Sequence, residues 1–425
     1  MLDRQLLREN PDFVRAGIAK KKIQAPLDEW LTTDQQWRSL NTEMESQKAE
    51  LNRISKSIGA LMGQGKKDEA EAAKAETKAI KDRLEAIEPQ VKDLEAVMAE
   101  MEFSLPNLPH DSVPEGVTEE DNQIVRIWGE PDGPPEAVPH WDVADACGLF
   151  DLARGSKIAG SGFVVYTGWG ARLQRALINF MIEHQVGRGY QEIYPPYLVN
   201  SASLYGTGQL PKFGEDLYKA NDEDLYLIPT AEVPVTNLYR DEILDANQLT
   251  MSMAAWSGCF RREAGAAGKD TRGIQRVHQF DKVELVKYTK PEDSYDELEK
   301  LTGDAESLLQ SLGLHYRVSL LCGPEMSFSN SKCYDLEIWS PGMQKYLEVS
   351  SCSNFEAFQA RRANIRFRRE QGAKPEFVHI LNGSGVATPR LFAVLIETGW
   401  VPGQGIRIPE ALRPYVGTDL IPVLA

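Results

Sequence analysis

The run FRREAGAAGKDTRGIQRVHQFDKVE, residues 260–284, gathers residue types that can hold a nucleotide. Alternation with period two puts Arg276, His278, Phe280, Lys282 and Glu284 on one face of a strand. Val277, Val283 and Leu285 take the other, core-facing side. Arg261 and Glu263 share one face of a preceding strand, and the glycine-rich AGAAGKDTRG joins the two into a β-hairpin. A nucleoside triphosphate needs such a set. Arginine forks meet phosphates, a ring stacks on the base for about 1–3 kcal/mol, and a carboxylate accepts from an exocyclic amine. A solvated sheet face laced with ion pairs is the plainer alternative. The lone Phe280 among charges and the basic loop speak against it. GAAGKDT is not a phosphate-binding P-loop, because Glu263 and Asp270 stand where that pattern needs Gly and Ser or Thr.

Three further runs carry chemistry. In NGSGVATPRLFAVLIE (382–397), Thr388 suits an N-cap, Pro389 suits the first helical position, and Gly383 and Gly385 allow close backbone approach. Arg390 then falls in the first turn of an apolar helix, where a cation is unfavourable and an anionic ligand would relieve it. In YLEVSSCSNFEAFQARR (346–362), Glu348, Ser350 and Ser351 cluster oxygens at a strand end; they suit Mg²⁺, and equally a turn or cap. LYLIPTAEVPV (225–235) is a Pro-flanked bend that exposes Thr230 and Glu232.

The elements around these runs differ along the chain. Apolar residues at Trp37, Leu40, Met44, Leu51, Ile54, Ile58 and Leu61 step as a heptad, with Gln47 in one d slot. After GQGKKD a second series runs from Ala70 to Met101. So short a loop predicts an antiparallel two-helix coiled coil, with Pro89 placed to bend the second helix. On pattern alone this hairpin suits a dimerisation or spacer arm. Lys48, Arg53, Lys56, Lys66, Lys67, Lys74 and Lys78 near its tip also suit a phosphate backbone. Residues 104–140 are dense in Pro and Gly and read as a linker. From 141 to 425, clustered strands with helices at the ends predict an α+β domain on a mostly antiparallel sheet. GYQEIYPPYLV reads as a strand. The chain has 425 residues and net charge −16, which opposes non-specific nucleic-acid binding unless a basic surface is local. Five scattered cysteines and six histidines give no CxxC pair and no zinc cluster. No apolar run spans a membrane, and MLDRQLLREN reads as neither signal nor transit peptide, so a cytoplasmic location is expected.

Together these runs resemble the seryl-tRNA synthetases of class II. FRREAG…TRGIQRVHQFDKVE is similar to motif 2, NGSGVATPR to motif 3, and GYQEIYPPYLV to motif 1, whose proline lies at a dimer interface. TAE, EVSSCSNF, MLDRQLLRENPDFVR, NLPHDSVPEGVTEEDN and EALRPYVG fit the same family, so the resemblance covers essentially the whole chain. One departure is Gly162–Phe163, where many members carry Arg-Phe. The resemblance implies a class II catalytic core (141–425) behind an arm (1–103) that grips tRNA(Ser), with tRNA(Sec) as an open second partner. It implies a homodimer, ATP and L-serine as substrates, and Mg²⁺ on Glu348 and Ser351. ATP would lie on Arg261, Arg262, Glu263, Arg276, Phe280, Arg390 and the backbone run Glu348, Val349, Ser350 and Ser351, with Arg261 and Arg390 catalytic. Thr230, Ala231, Glu232, Glu284 and Ser384 would hold serine, and the loop Lys269–Arg272 would meet the tRNA acceptor end.

Overall fold

The structure, a computed structural model, describes residues 1–131, 133–134, 137–264 and 272–424. The chain divides into two units, one of residues 2–16 and 24–106, the other of residue 1, 17–23 and 107–425.

In the first unit, Leu27–Gly63 (α1) and Lys67–Ser104 (α2) are helices of 37 and 38 residues. At 1.5 Å per residue each is about 55 Å long. Three residues join them, and Gly65 takes φ +76° there to reverse the chain. The heptad positions close the seam. Met44 and Ile54 of α1 pack with Ile80, Leu84, Ile87 and Val91 of α2, flanked by Trp37, Leu40, Leu51, Ile58 and Ala73. α2 runs unbroken through Pro89. At the base, Glu102 Oε1 accepts from Trp30 Nε1 (3.0 Å) and Arg4 Nε (2.6 Å), so the indole, 0% exposed, has its polar end satisfied. Most basic side chains along the arm are paired on its surface, among them Arg83 with Glu43, Lys48 with Glu88 and Arg53 with Glu50.

The second unit is built on eight strands: β1 Gln123–Trp128, β2 Gln191–Ile193, β3 Met251–Phe260, β4 Gln279–Thr289, β5 Tyr316–Leu320, β6 Lys332–Ser340, β7 Lys345–Asn354 and β8 His379–Ala387. Their order across the sheet is β1-β5-β6-β7-β8-β4-β3-β2, and every neighbouring pair except β2–β3 is antiparallel. The helices that serve the site are α3 His140–Cys147, α4 Gly168–Gly187, α5 Glu232–Thr236, α6 Ser294–Ser311 and α7 Thr388–Thr398. Strand alternation builds two cores. Val283 and Leu285 of β4 join Leu177 of α4, Leu301 of α6 and Leu391 of α7. Val286 and Tyr288 turn the other way, to Met253, Phe367 and Ile380. The α+β fold with a mostly antiparallel sheet is therefore as the sequence predicts.

Local differences from the sequence reading have physical causes. β1 lies inside the Pro- and Gly-rich stretch 104–140 and pairs with β5, so part of what reads as a linker is edge strand. β3 ends at Phe260, so Arg261 and Glu263 follow the strand, and Glu263 bends the chain with φ +50°. β4 begins at Gln279, so Arg276 and His278 precede it. The ladder stops there because the His278 N–H donates to Gly162 O (2.9 Å) after one last rung from Arg261 N to His278 O (2.9 Å). GYQEIYPPYLV is not one strand; Pro195 and Pro196 lack the N–H a ladder needs, and the run breaks into β2 and Leu198–Val199. α7 starts at Thr388 with Ala387 as its cap, so Thr388 is helical rather than the N-cap. Its hydroxyl instead donates to Asp281 O (2.9 Å) and accepts from Gln174 Nε2 (2.7 Å), tying α7 to β4 and α4.

Candidate active site

The β4, β7 and β8 strands and the bend before α5 open on one side into a cleft of about 1360 Å³. Thr230, Glu232, Arg261, Glu263, Arg276 and Glu284 line it, as do Glu348, Ser351 and Ser384. Register explains part of this convergence. Ser384 on β8 lies directly opposite Glu284 on β4, and Ser351 on β7 opposite Asp335 on β6.

At the deep end, Glu284 is 2% exposed. Its Oε2 accepts from the Thr230 hydroxyl and pairs with the Lys282 ammonium. Glu232, at the start of α5, accepts from Gln359 Nε2 at 2.6 Å. Burial, then the charge of Glu284, pushes the Glu232 carboxyl up to about 7. Asn382 is buried and lines the same cleft, where its side chain acts on Glu232 against the upward push of burial. Lys21 braces one wall: its ammonium donates to the carbonyls of Ser327 (2.8 Å) and Asn330 (2.6 Å), and burial pushes it down to about 7.

Arg261 and Arg276 line the outer part of the cleft, whereas Arg390 and Phe280 are not among the described residues that line it and stand beside ones that do. The Arg261 guanidinium lies 5.1 Å from the centre of the Phe280 ring, a cation–π contact, and its Nε donates to Pro229 O at 3.3 Å. Arg276 Nη1 pairs with Glu263 Oε2 at 3.2 Å. Arg390 Nη1 donates to Glu348 O at 2.6 Å and lies 3.3 Å from Glu348 Oε2, so the cation in the first turn of α7 is answered by β7. Ser351 Oγ donates to Glu348 Oε1 at 3.2 Å. Burial and the Glu348 charge push the neighbouring Asp335 carboxyl well up. Among the described residues, no three His, Cys, Asp or Glu side chains converge on a metal position. Glu348 and Ser351 offer hard oxygens of the kind Mg²⁺ takes when a substrate supplies the remaining ligands.

Not every predicted residue reaches the cleft with its side chain. Ala231, Val349 and Ser350 are buried in the surrounding packing, and the Ser350 hydroxyl donates to Ser384 O at 2.5 Å. They can meet a ligand only through their backbone. Arg262 is exposed, and its N–H donates to Asp216 O at 2.9 Å. Lys269 lies outside the described residues, whereas Arg272 stacks on Trp141 with its guanidinium 4.5 Å from the ring centre. Gly162 takes φ +81°, and a Cβ there would lie 2.6 Å from the His278 ring, so the Gly in this chain is matched to that ring.

Sequence reasoning passed over several of these partners. Lys282 stood on the shared face without a role, Asn382 heads a run read for its glycines, Ser384, Thr388, Pro389 and Arg390 but not for itself, and Gln359 follows a strand with no periodic signal. It also passed over the anchor at Ile274. His140 N and Nδ1 bond to Glu397 Oε1 (2.9 and 3.0 Å), and Ser340 Oγ and Gly342 N donate to Glu397 Oε2 (2.5 and 3.2 Å). The Ile274 N–H then donates to His140 Nε2 at 3.2 Å. That acceptor role leaves the proton on Nδ1, facing Glu397.

Comparison with known proteins agrees with this architecture. Residues 1–109 match the seryl-tRNA synthetase N-terminal domain, and residues 215–399 match the tRNA synthetase class II core domain (G, H, P, S and T). The chain is 52% identical over 425 residues to a serine--tRNA ligase of Caldanaerobacter subterraneus subsp. tengcongensis, covering 99% of each. It is 53% identical over 423 residues to that of Geobacillus kaustophilus, covering 98% of this chain and 99% of the other. Among solved structures, seryl-tRNA synthetase from Pyrococcus horikoshii complexed with ATP superposes with TM-score 0.95 at 36% identity over 100% of both chains. The cytoplasmic enzyme from Naegleria fowleri with AMP gives TM-score 0.89 at 31% identity, over 100% of this chain and 99% of that one. With such identity sustained from end to end, arm and core alike, the chain belongs to the seryl-tRNA synthetase family of class II aminoacyl-tRNA synthetases.

Proposed function

We propose that this protein activates L-serine with ATP and passes the seryl group to the 3′ end of tRNA(Ser). The observation that carries the reading is the buried set Glu284, Thr230, Lys282 and Glu232 lying in one cleft with Arg261. Glu232 takes the serine ammonium, and Glu284 with Ser384 takes the hydroxyl. Arg261 holds the α-phosphate, Phe280 and Arg390 flank the nucleotide, Glu263 accepts from the adenine amine, and Arg276 reaches the terminal phosphate. The Arg276–Glu263 pair opens as ATP enters, each partner exchanging one charge-assisted bond for another. Arg262 and the backbone of Val349 and Ser350 complete the nucleotide site, and Ala231 the serine site.

A serine carboxylate oxygen attacks the α-phosphorus in line. The new O–P bond forms as the bond to the β-phosphate oxygen breaks, and pyrophosphate leaves with both electrons. A terminal ribose hydroxyl of the tRNA then attacks the seryl carbonyl, and AMP leaves. Neither step needs a protein nucleophile, so the residues act by positioning and by meeting charge that develops at phosphorus. Mg²⁺, when bound at Glu348 and Ser351 with the nucleotide, supplies charge neutralisation at the phosphates. The protein works as a homodimer through the motif 1 segment, where Tyr194 is 74% exposed and Leu198 46%; a sedimenting monomer during turnover would refute this. We place it in the cytoplasm, where its tRNA is; no helix among the described residues is long and apolar enough to cross a membrane.

Charging of tRNA(Ser) with radiolabelled serine tests the reading. Arg261→Ala is expected to leave serine binding measurable while lowering pyrophosphate exchange by ~10³-fold or more, since it removes charge stabilisation made at the reacting phosphate. Near-normal exchange in that variant would remove Arg261 from the mechanism.

A further inference from the structure

Lys282 is a buried charge in the cleft to which the reading above gives no duty. It stands two residues before Glu284 on β4, so both side chains leave the same face of the strand. Neighbouring backbones offer it Ser257 on β3 and Ala387 on β8 as cross-strand partners. It is 7% exposed, and a lysine is rarely so buried without a defined partner. That partner is Glu284, and the contact is made at Oε2. The Thr230 hydroxyl donates to the same oxygen. Both internal donors therefore occupy Oε2, and Oε1 of Glu284 has no partner among the described residues. A buried ion pair is a poor stability device, because well-packed apolar residues do as well or better in its place. Its retention in a ligand cleft calls for another reason.

The surrounding charges supply one. Lys282 is faced by Glu284 on its own strand, by Glu232 at the start of α5 and by Cys259 on β3, which Arg261 also acts on. Two carboxylates in a shared, poorly hydrated pocket cannot both ionise without a cation between them. The effects on Glu232 run in that sense: Glu284 raises its pKa and Lys282 lowers it.

We infer that Lys282 is a positioning residue for amino-acid selection: by holding Oε2 it fixes the Glu284 carboxylate and leaves Oε1 as the acceptor for the hydroxyl of the substrate. An ionised carboxylate can only accept, so a methyl in place of the hydroxyl leaves it unpaired. A Glu284 released from Lys282 could rotate, turn Oε1 to another donor and tolerate alanine. This inference rests on the pocket taking serine.

The test is pyrophosphate exchange by full-length protein with serine and with alanine, across pH, for wild type, Lys282→Met, Lys282→Arg, Glu284→Gln and the double variant. Lys282→Gln replaces Lys282→Met should the apolar variant not fold. Lys282→Met is expected to cut the serine-over-alanine ratio of kcat/KM by ~10–100-fold, the scale of leaving one buried polar group unpaired. The acid limb for serine should move to higher pH, the KM for ATP should stay within about twofold, and Lys282→Arg should restore most of the ratio. Adding Lys282→Met to Glu284→Gln should change the ratio no further, because the lysine acts through that carboxylate. A folded Lys282 variant with an unchanged ratio and acid limb overturns the inference, and so do effects that add independently of Glu284. Wild-type exchange that does not favour serine overturns the functional reading and this inference together. Wild type and Lys282→Met that both favour serine equally overturn this inference alone.

Discussion

At the scale of single residues, the pocket makes its strongest demand on Glu232. Burial and Glu284 lift its carboxyl to about 7, above the ordinary 4.5. Below about pH 7 it is protonated and loses the charge that we propose it offers the serine ammonium. The kcat/KM for serine is therefore expected to fall about tenfold per pH unit on the acid side, while the KM for ATP stays flat. Glu232→Gln should erase that limb and lower kcat/KM for serine by ~10²-fold, the scale of a lost charge-assisted bond. The same shift has a sign for stability. A folded pKa above the unfolded one means the folded state holds the proton more tightly, so this contribution is full below about 4.5 and lost as pH rises through about 7. At pH 8 Glu232→Gln should accordingly melt no lower than wild type; a lower melting temperature would contradict the assignment. Residue types at this scale were largely legible, because Arg261, Arg276, Phe280 and Glu284 are conspicuous in type and spacing. Partners such as Gln359 and Asn382 were not, since their meaning comes only from which side chains the fold brings near them.

At the scale of elements, the site depends on backbones held unusually close. Gly383 on β8 lies under α6, where a Cβ would come within 2.4 Å of Leu301 Cδ2 and 2.9 Å of Cys352 Sγ. Gly383→Ala must displace the buried Leu301 and Cys352 side chains or shift β8, and with it Ser384. We expect a loss of ~1–3 kcal/mol in urea unfolding and a raised KM for serine; a variant as stable as wild type would mean that β8 yields freely. Gly273 meets a second such limit: it takes φ +75°, and a Cβ would lie 2.0 Å from His140 Nε2, on the very atom that accepts from Ile274. Elements with strong local periodicity were readable, and Trp37 to Ile58 fall in the arm seam as their spacing requires. Those defined by distant partners were not. β1 hides among prolines and glycines because its pairing with β5 comes from nearly two hundred residues on. On β8 the glycines drew attention, yet Val386 is the residue with φ +84°, at a register shift that no local pattern announces.

At the scale of the whole molecule, net charge −16 sets the terms for RNA binding. Attraction must come from local surface, and the arm offers Lys56, Lys67 and Lys78 among its paired charges. Deleting residues 35–100 leaves the base contacts of Trp30, Asp34 and Glu102 with Arg4 and Arg8. Such a protein should exchange pyrophosphate within about twofold of wild type, because its cleft is built wholly from the other unit. Its charging of tRNA(Ser) should fall below detection, and surviving charging would show that the arm is not the tRNA reader. The central claim is that one cleft selects serine and joins it to AMP. Pyrophosphate exchange by wild-type protein, run with each of the amino acids in turn, tests it most directly. Serine alone should support rapid ATP-dependent exchange, without tRNA present. Exchange driven better by another amino acid, or by none, would contradict the account.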